Sequence, residues 1–205
     1  KQVVEPSHAD SIATGGSNAI GGPIGCFKSG RTWWNPLRVL VSLSALVYAF
    51  GYFLDLSCRS TGWVSPENYE HLCYSDIPPL FSFRGFADGF FPYLQTAPGQ
   101  TPLEYPVITG VFMQIAAMIT RVLTGIMPQA PASTVFFDVN VTLLFIPLII
   151  AVIATALTVR RRPWDAAMFA LAPGVLVAAT INWDLLPLAF AGVALLLWSR
   201  NRPFA

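Results

Sequence analysis

The chain has 205 residues, of which 11% are charged and 54% hydrophobic, and its formal net charge is +1. Soluble domains carry about 25% charged residues, so the 12 basic and 11 acidic side chains of this chain are too few to cover a water-facing surface. The composition therefore excludes an ordinary soluble enzyme, a nucleic-acid-binding protein and a disordered chain. It predicts an integral membrane protein. We expect further residues beyond both Lys1 and Ala205, since neither end resembles a finished terminus.

The first part of the chain combines a polar tail with one apolar segment. Residues 1–36 are rich in glycine and serine, which is typical of a flexible tail. The apolar segment 37–54 is long enough to cross roughly 30 Å of hydrocarbon. Lys28, Arg31 and Arg38 lie on its amino-terminal side. Because basic residues favour the cytoplasmic side of a membrane, we expect a cytoplasmic N-terminus.

Residues 55–134 are predicted to form a long extracytoplasmic loop. Acidic residues outnumber basic ones over 55–105, as expected outside the membrane, where positive charge is scarce. Cys58 and Cys73 both lie in this loop. An oxidising exterior favours a disulfide between them. The alternative is two unrelated thiols. A zinc site would need further ligands, so no metal site is predicted.

The topology of the remaining chain depends on residues 106–126. If this stretch crossed the bilayer, five arginines would lie outside, against the positive-inside rule: Arg160, Arg161, Arg162, Arg200 and Arg202. We therefore expect an amphipathic juxtamembrane helix at 106–126 along the outer surface, with an ordinary membrane span as the alternative. The predicted transmembrane helices are then 37–54, 135–157, 164–181 and 184–199.

This topology brings three groups of polar residues to the outer face of the membrane. They are Asp76 in the outer loop, Glu104-Tyr105 just ahead of the juxtamembrane helix, and Asn182-Trp183-Asp184 between the last two spans. A carboxylate at the end of an apolar run costs free energy unless it is solvated or has a function in a site. Asp184 is therefore a candidate site residue. The alternatives are a solvated loop acid for Asp76 and a helix N-cap for Asp184.

The outer loop also contains a series of short motifs: Tyr74-Ser75-Asp76-Ile77, Arg84-Gly85, Gly89, Phe91-Pro92-Tyr93 and Leu103-Glu104-Tyr105-Pro106-Val107. This series resembles the first outer loop of actinobacterial glycosyltransferase family 87, polytopic enzymes of the GT-C fold often labelled polyprenyl-phosphate-mannose-dependent mannosyltransferases. The resemblance is closer over 74–107 than over the rest of 37–205, and Val107 stands where many members have a second proline. It implies an all-α, GT-C-like transmembrane helix bundle with a long first extracytoplasmic loop and a juxtamembrane helix.

The resemblance also implies an activity. The enzyme would transfer a sugar, mannose or another hexose or pentose, from a polyprenyl-phosphate donor to a glycan or glycolipid acceptor outside the cell (inner) membrane, without a tightly bound cofactor. Asp76 would accept the proton of the acceptor hydroxyl, with inversion at the anomeric carbon. The substrate-binding residues would be Arg84, Tyr93, Glu104, Tyr105, Asn182 and Asp184. Aromatic residues such as Tyr74 and Trp183 would stack on sugar rings or anchor at the interface.

Two other classes of membrane protein remain open on the sequence. A transporter or channel needs polar residues along its spans, and the predicted spans hold few, among them Asp138 and Asn140. A non-catalytic scaffold, or a subunit of a cell-envelope complex with other membrane partners, needs no outer acids at all.

Overall fold

The computed structural model describes Ser11 and residues 35–95, 99, 101–158 and 162–200. Nearly all of the predicted tail lies outside these residues, as do Arg160, Arg161 and Arg202. The described residues form helices and contain no strand, in agreement with the predicted all-α class.

Eight α-helices are formed by the described residues. In chain order they are α1 Pro36–Thr61, α2 Glu67–Glu70, α3 Ile77–Phe83, α4 Val107–Ile126, α5 Ala132–Thr158, α6 Ala167–Ala170, α7 Pro173–Ala178 and α8 Leu185–Ser199, with a 3₁₀ helix at Pro163–Ala166. Of these, α1, α4 and α5 are long and apolar enough to cross a membrane, while α8 is apolar but shorter. The lengths and compositions of these helices support a membrane protein in contact with a lipid bilayer.

Helix α1 continues well past the apolar segment from which it was predicted. The predicted segment ends at residue 54, but the helix continues through the charged Asp55 and Arg59 and ends at Thr61. Arg59 forms an ion pair with Asp138 of α5, and the Arg59 Nη2 and Asp138 Oδ2 atoms are 2.7 Å apart. This partner offsets the charge of Arg59 within the bundle, so the charge does not terminate the helix.

The direction of the long helices follows from their hydrogen bonds to α5. The last turn of α1 meets the start of α5 through the Arg59–Asp138 pair. Just before α8, the Trp183 Nε1–H donates to Asn140 Oδ1 at 2.7 Å, and just after α8, Arg200 donates to the Leu157 carbonyl at 2.6 Å. Helix α1 is therefore antiparallel to α5, and α8 is parallel to it.

We call the end of the bundle that contains the end of α1 and the starts of α5 and α8 the site end. Helix α5 lies at the centre of the bundle, and the core includes its buried side chains Phe136, Phe137, Leu144, Leu148 and Val152. The opposite end contains the described arginines of the predicted cytoplasmic clusters, Arg162 and Arg200, together with Arg38 at the start of α1. Arg59, Arg84 and Arg121 lie at the site end, so the described arginines are divided equally between the two ends.

The segment 164–181 differs from the single spanning helix that the sequence predicts. The structure divides it into the 3₁₀ helix, α6 and α7. Pro173 is the cause, because proline has no N–H to donate and disfavours helical geometry in the residue before it. Ala172 accordingly has an extended backbone, with φ of −62° and ψ of 137°. Helix α7 then packs closely on α1, where a Cβ atom on Gly51 would overlap the Leu176 carbonyl.

Helix α4 has both of its ends near the first turns of α5. Tyr105, just before α4, lies with its ring centroid 5.3 Å from that of Trp183, which is bonded to Asn140 of α5. Beyond the other end of α4, Met127 lines a cleft together with Val135 and Asp138 of α5. Both ends of α4 therefore lie near the first turns of α5, while Phe112 between them lines a pocket with Ile146 and Ile150 further along α5.

One face of α4 is exposed and entirely apolar. The opposite face, which includes Met113, Ala117 and Thr120, is buried against the bundle. The exposed face repeats every three to four residues, as one side of a helix does, and consists of Val107, Ile108, Val111, Ile115, Met118, Ile119, Val122 and Ile126. An apolar stripe of this length is typical of a surface that contacts lipid or another protein.

Candidate active site

The Cys58–Cys73 disulfide ties the segment ahead of α3 to the bundle. The two Sγ atoms are 2.06 Å apart, and they join the last turn of α1 to the segment just ahead of Asp76. Both cysteines are buried. The loop that carries Asp76 is therefore anchored to the bundle three residues before the carboxylate.

Asp76 is held at the site end by hydrogen bonds to the segment before α8. The Asp76 N–H donates to the Ile181 carbonyl at 2.8 Å, and the buried Ser75 hydroxyl donates to the Thr180 carbonyl at 2.7 Å. Asp76 precedes α3 but its side chain does not cap that helix. The carboxylate therefore remains available for other interactions.

The Tyr74 hydroxyl is the partner of the Asp76 carboxylate. It donates to Asp76 Oδ1 at 2.6 Å, and this hydrogen bond, more than burial, raises the pKa of Tyr74 to about 12. The hydroxyl thus stays protonated at neutral pH and keeps donating. Within the described part of the chain, Asp76 Oδ2 accepts no hydrogen bond, so one oxygen is open to a ligand.

Asp184 stands at the start of α8 without capping it. Its side chain makes no capping hydrogen bond, so the N-cap role that the sequence allowed is absent. Asn182 Oδ1 instead accepts from the Asp184 N–H at 3.0 Å and closes the turn. The neighbouring Trp183 is 1% exposed. It cannot stack on a sugar ring and serves as an anchor to Asn140.

Tyr105 brings the two acids into one site. Burial is the main reason that its pKa is raised, and the negative charges of Asp76, Asp184 and Glu104 raise it further. Three carboxylates from distant parts of the sequence therefore lie close enough to the Tyr105 hydroxyl to act on it electrostatically. The structure thus brings together four of the residues that the sequence singled out.

Arg84 and Glu104 form an ion pair beside this group. The Arg84 guanidinium contacts both carboxylate oxygens, at 2.6 Å to Oε1 and 3.2 Å to Oε2. These hydrogen bonds are the main reason that the pKa of Glu104 is lowered. The pair links the end of α3 to the start of α4. Arg84 is thereby engaged by Glu104, and a phosphate would have to share or replace that partner.

Tyr93 supports the backbone ahead of α4. Its hydroxyl donates to the Tyr105 and Pro106 carbonyls at 2.8 and 3.0 Å, and its ring lies against Gly110. A Cβ atom on Gly110 would overlap the Tyr93 ring. Tyr93 therefore contributes to the site through Tyr105, since its own hydroxyl is already engaged.

Gly110→Ala is expected to displace Tyr93 and lower the free energy of unfolding by about 1–3 kcal/mol. Gly125→Ala in the same helix is the matched control, because no atom of the described chain lies within 4 Å of its added Cβ. There, alanine should raise stability by up to about 1 kcal/mol. Thermal unfolding of both variants in detergent checks this, and a similar shift in both would contradict it.

Asn140 and Tyr74 form hydrogen bonds in the site that the sequence did not predict. Asn140 is fully buried in α5, where its amide donates to the Phe136 carbonyl and its Oδ1 accepts from Trp183. A polar side chain inside an apolar helix was the available signal. Tyr74 lies two residues from Asp76, but nothing in that spacing indicates a hydrogen bond.

Comparison of the chain with protein families, with curated proteins and with solved structures finds no match. The site is therefore interpreted from its own geometry. Among the described residues, no group of three or more histidine, cysteine or acidic side chains is arranged to hold a metal ion. The arrangement offers two open carboxylates beside a tyrosine hydroxyl, which can accept a proton and bind hydroxyl groups.

Proposed function

We propose that the chain is part of an integral membrane glycosyltransferase that transfers a sugar from a polyprenyl-phosphate donor to a glycan or glycolipid acceptor. One observation carries the proposal. Asp76 and Asp184, which are 108 positions apart in the numbering of the sequence, lie at the same end of a bundle of apolar helices, because the Asp76 N–H donates to the carbonyl of Ile181, three residues before Asp184. A scaffold would have no need of acids with open oxygens at a shared site, and the resemblance of residues 74–107 to family 87 supports this class of chemistry.

In the proposed reaction Asp76 is the general base. The acceptor hydroxyl binds to the open Oδ2, and its proton passes to the carboxylate as the oxygen attacks the anomeric carbon of the donor. The bond between that carbon and the phosphate oxygen breaks, and the polyprenyl phosphate leaves with the electron pair. A single displacement of this kind inverts the anomeric centre. Asp184 and Tyr105 bind and orient hydroxyl groups of the substrates.

We further propose that the site end faces the outside of the cell (inner) membrane and that α4 lies along the outer surface. The arginines of the opposite end would then face the cytoplasm, in keeping with the positive-inside rule. The apolar stripe of α4 would dip into the acyl chains. Tyr105, at the start of α4, would then stand at the level where the phosphate of a membrane-bound donor meets water.

The proposal is tested by a transfer assay with the full-length protein in nanodiscs. Radiolabelled polyprenyl-phosphate mannose and an unlabelled manno-oligosaccharide are supplied, and the label is expected to appear in the oligosaccharide. Polyprenyl-phosphate donors that carry other hexoses or a pentose are tested in parallel, because the geometry does not name the sugar. Failure of the protein to transfer any of these sugars, when it is folded by its thermal transition, would contradict the proposed function.

A further inference from the structure

Two exposed tyrosines form a stacked pair next to Asp76. The rings of Tyr69 and Tyr74 have centroids 5.6 Å apart and an interplanar angle of 14°. Tyr69 is 62% exposed and Tyr74 is 39% exposed, so ring surface of both remains accessible. The same Tyr74 donates its hydroxyl hydrogen to Asp76 Oδ1. A stacked pair of exposed aromatic rings thus lies directly beside the carboxylate of the site.

The surroundings of this pair favour contact with water over contact with lipid. Tyr69 belongs to the short helix α2, which starts and ends at Glu67 and Glu70, and the exposed His71 follows it. Moving carboxylates into the apolar part of a membrane is costly. An exposed aromatic pair with acidic neighbours is therefore poorly suited to anchoring in acyl chains, and a water-soluble ligand with an apolar face would fit it.

A sugar ring has that chemistry. One face of a pyranose presents mainly C–H groups, which pack on an aromatic ring, while the hydroxyl groups at the ring edge form hydrogen bonds. Tyrosine offers both partners, because it has an apolar face and a polar hydroxyl. A ring lying on the Tyr69–Tyr74 pair would bring an edge hydroxyl towards the open Oδ2 of Asp76.

We propose that Tyr69 and Tyr74 form the platform that binds the terminal sugar ring of the acceptor. The platform rests on the proposed function for its role in transfer, because Asp76 receives the acceptor proton there. Tyr74 has two roles in the platform. Its ring packs against the sugar, and its hydroxyl positions the Asp76 carboxylate. In the proposed function the donor binds near Tyr105 and the start of α4.

The test measures sugar binding without any donor. Saturation-transfer NMR is recorded on the full-length protein in nanodiscs with an α-linked dimannoside as the probe. Saturation should reach the C–H groups of the non-reducing ring. Tyr69→Ala and Tyr74→Ala should each weaken binding roughly tenfold, the magnitude expected from loss of one aromatic contact. Tyr69→Phe keeps the ring and should retain binding within about twofold.

Phe83→Ala is the matched control, because Phe83 is an exposed aromatic residue at the end of α3 with no place in the platform. It should leave the affinity unchanged. The proposal is overturned if Tyr69→Ala binds the dimannoside like wild type, if wild type binds no sugar, or if saturation passes from lipid acyl chains to the tyrosines. Binding that persists in a protein without transfer activity would refute the proposed function and leave the platform in place.

Discussion

Asp76→Asn is expected to lower the rate of sugar transfer by about 10²- to 10⁴-fold, because an amide cannot take up the acceptor proton. The fold should survive the change. The bond to the Ile181 carbonyl comes from the backbone N–H of residue 76, and an asparagine Oδ1 can still accept from Tyr74. The free energy of unfolding should therefore change by no more than about 0.5 kcal/mol. Initial rates and thermal transitions of the full-length protein in nanodiscs provide the measurement.

Two variants separate loss of the base from other effects. Asp88→Asn is the matched control, since Asp88 is exposed in the same loop and its side chain has no partner among the described residues. It should transfer sugar at the wild-type rate. Asp184→Asn should reduce the rate less than Asp76→Asn, because Asp184 orients substrate in the proposed mechanism. Near-normal turnover in Asp76→Asn would end its assignment as the base. A parallel loss of rate and stability would mark it as structural.

The apolar segments predicted most of the helical framework, because burial in lipid or protein selects long apolar runs. Helices α1, α5 and α8 contain most of the segments 37–54, 135–157 and 184–199. The errors arose where a tertiary partner overrode the local pattern. Arg59 lies beyond the apolar segment 37–54, and it is held within the bundle by Asp138, which is far away in the sequence. Over 164–181 the apolar composition concealed the break ahead of Pro173, although proline itself gave the signal.

The candidate site was only partly accessible from the sequence. The acids Asp76, Glu104 and Asp184 were chosen for their chemistry and their predicted side of the membrane, and they share the neighbour Tyr105. The contacts that bring these acids together cannot be predicted from the amino-acid composition. The Asp76 N–H and the Ile181 carbonyl are backbone groups that any residue would supply. The side-chain contacts could not be predicted either: the Trp183 ring is buried and bonded to Asn140, and the Tyr93 hydroxyl is bonded to the Tyr105 and Pro106 carbonyls.

Spin labels on α4 are expected to lie at one common depth in the membrane. Single cysteines at Ile108, Ile115 and Val122 all fall on the exposed apolar stripe, so a nitroxide at each should face lipid without disturbing the bundle. If α4 lies along the outer surface, all three labels should sit about 5–10 Å below the headgroups. If α4 spans the bilayer, the first and last labels should differ in depth by about 21 Å, the rise of fourteen helical residues.

The depth is measured from nitroxide collisions with oxygen and with a water-soluble nickel complex. Cys26→Ser serves as the background, and the Cys58–Cys73 disulfide stays in place because it does not react with the label. Leu46 and Phe53, exposed on α1, form the matched control. As α1 is expected to span, their depths should differ by about 10 Å, the rise of seven helical residues. A gradient along α4 as steep as that along α1 would contradict the surface orientation, and Tyr105 would then no longer stand where a membrane-bound phosphate meets water.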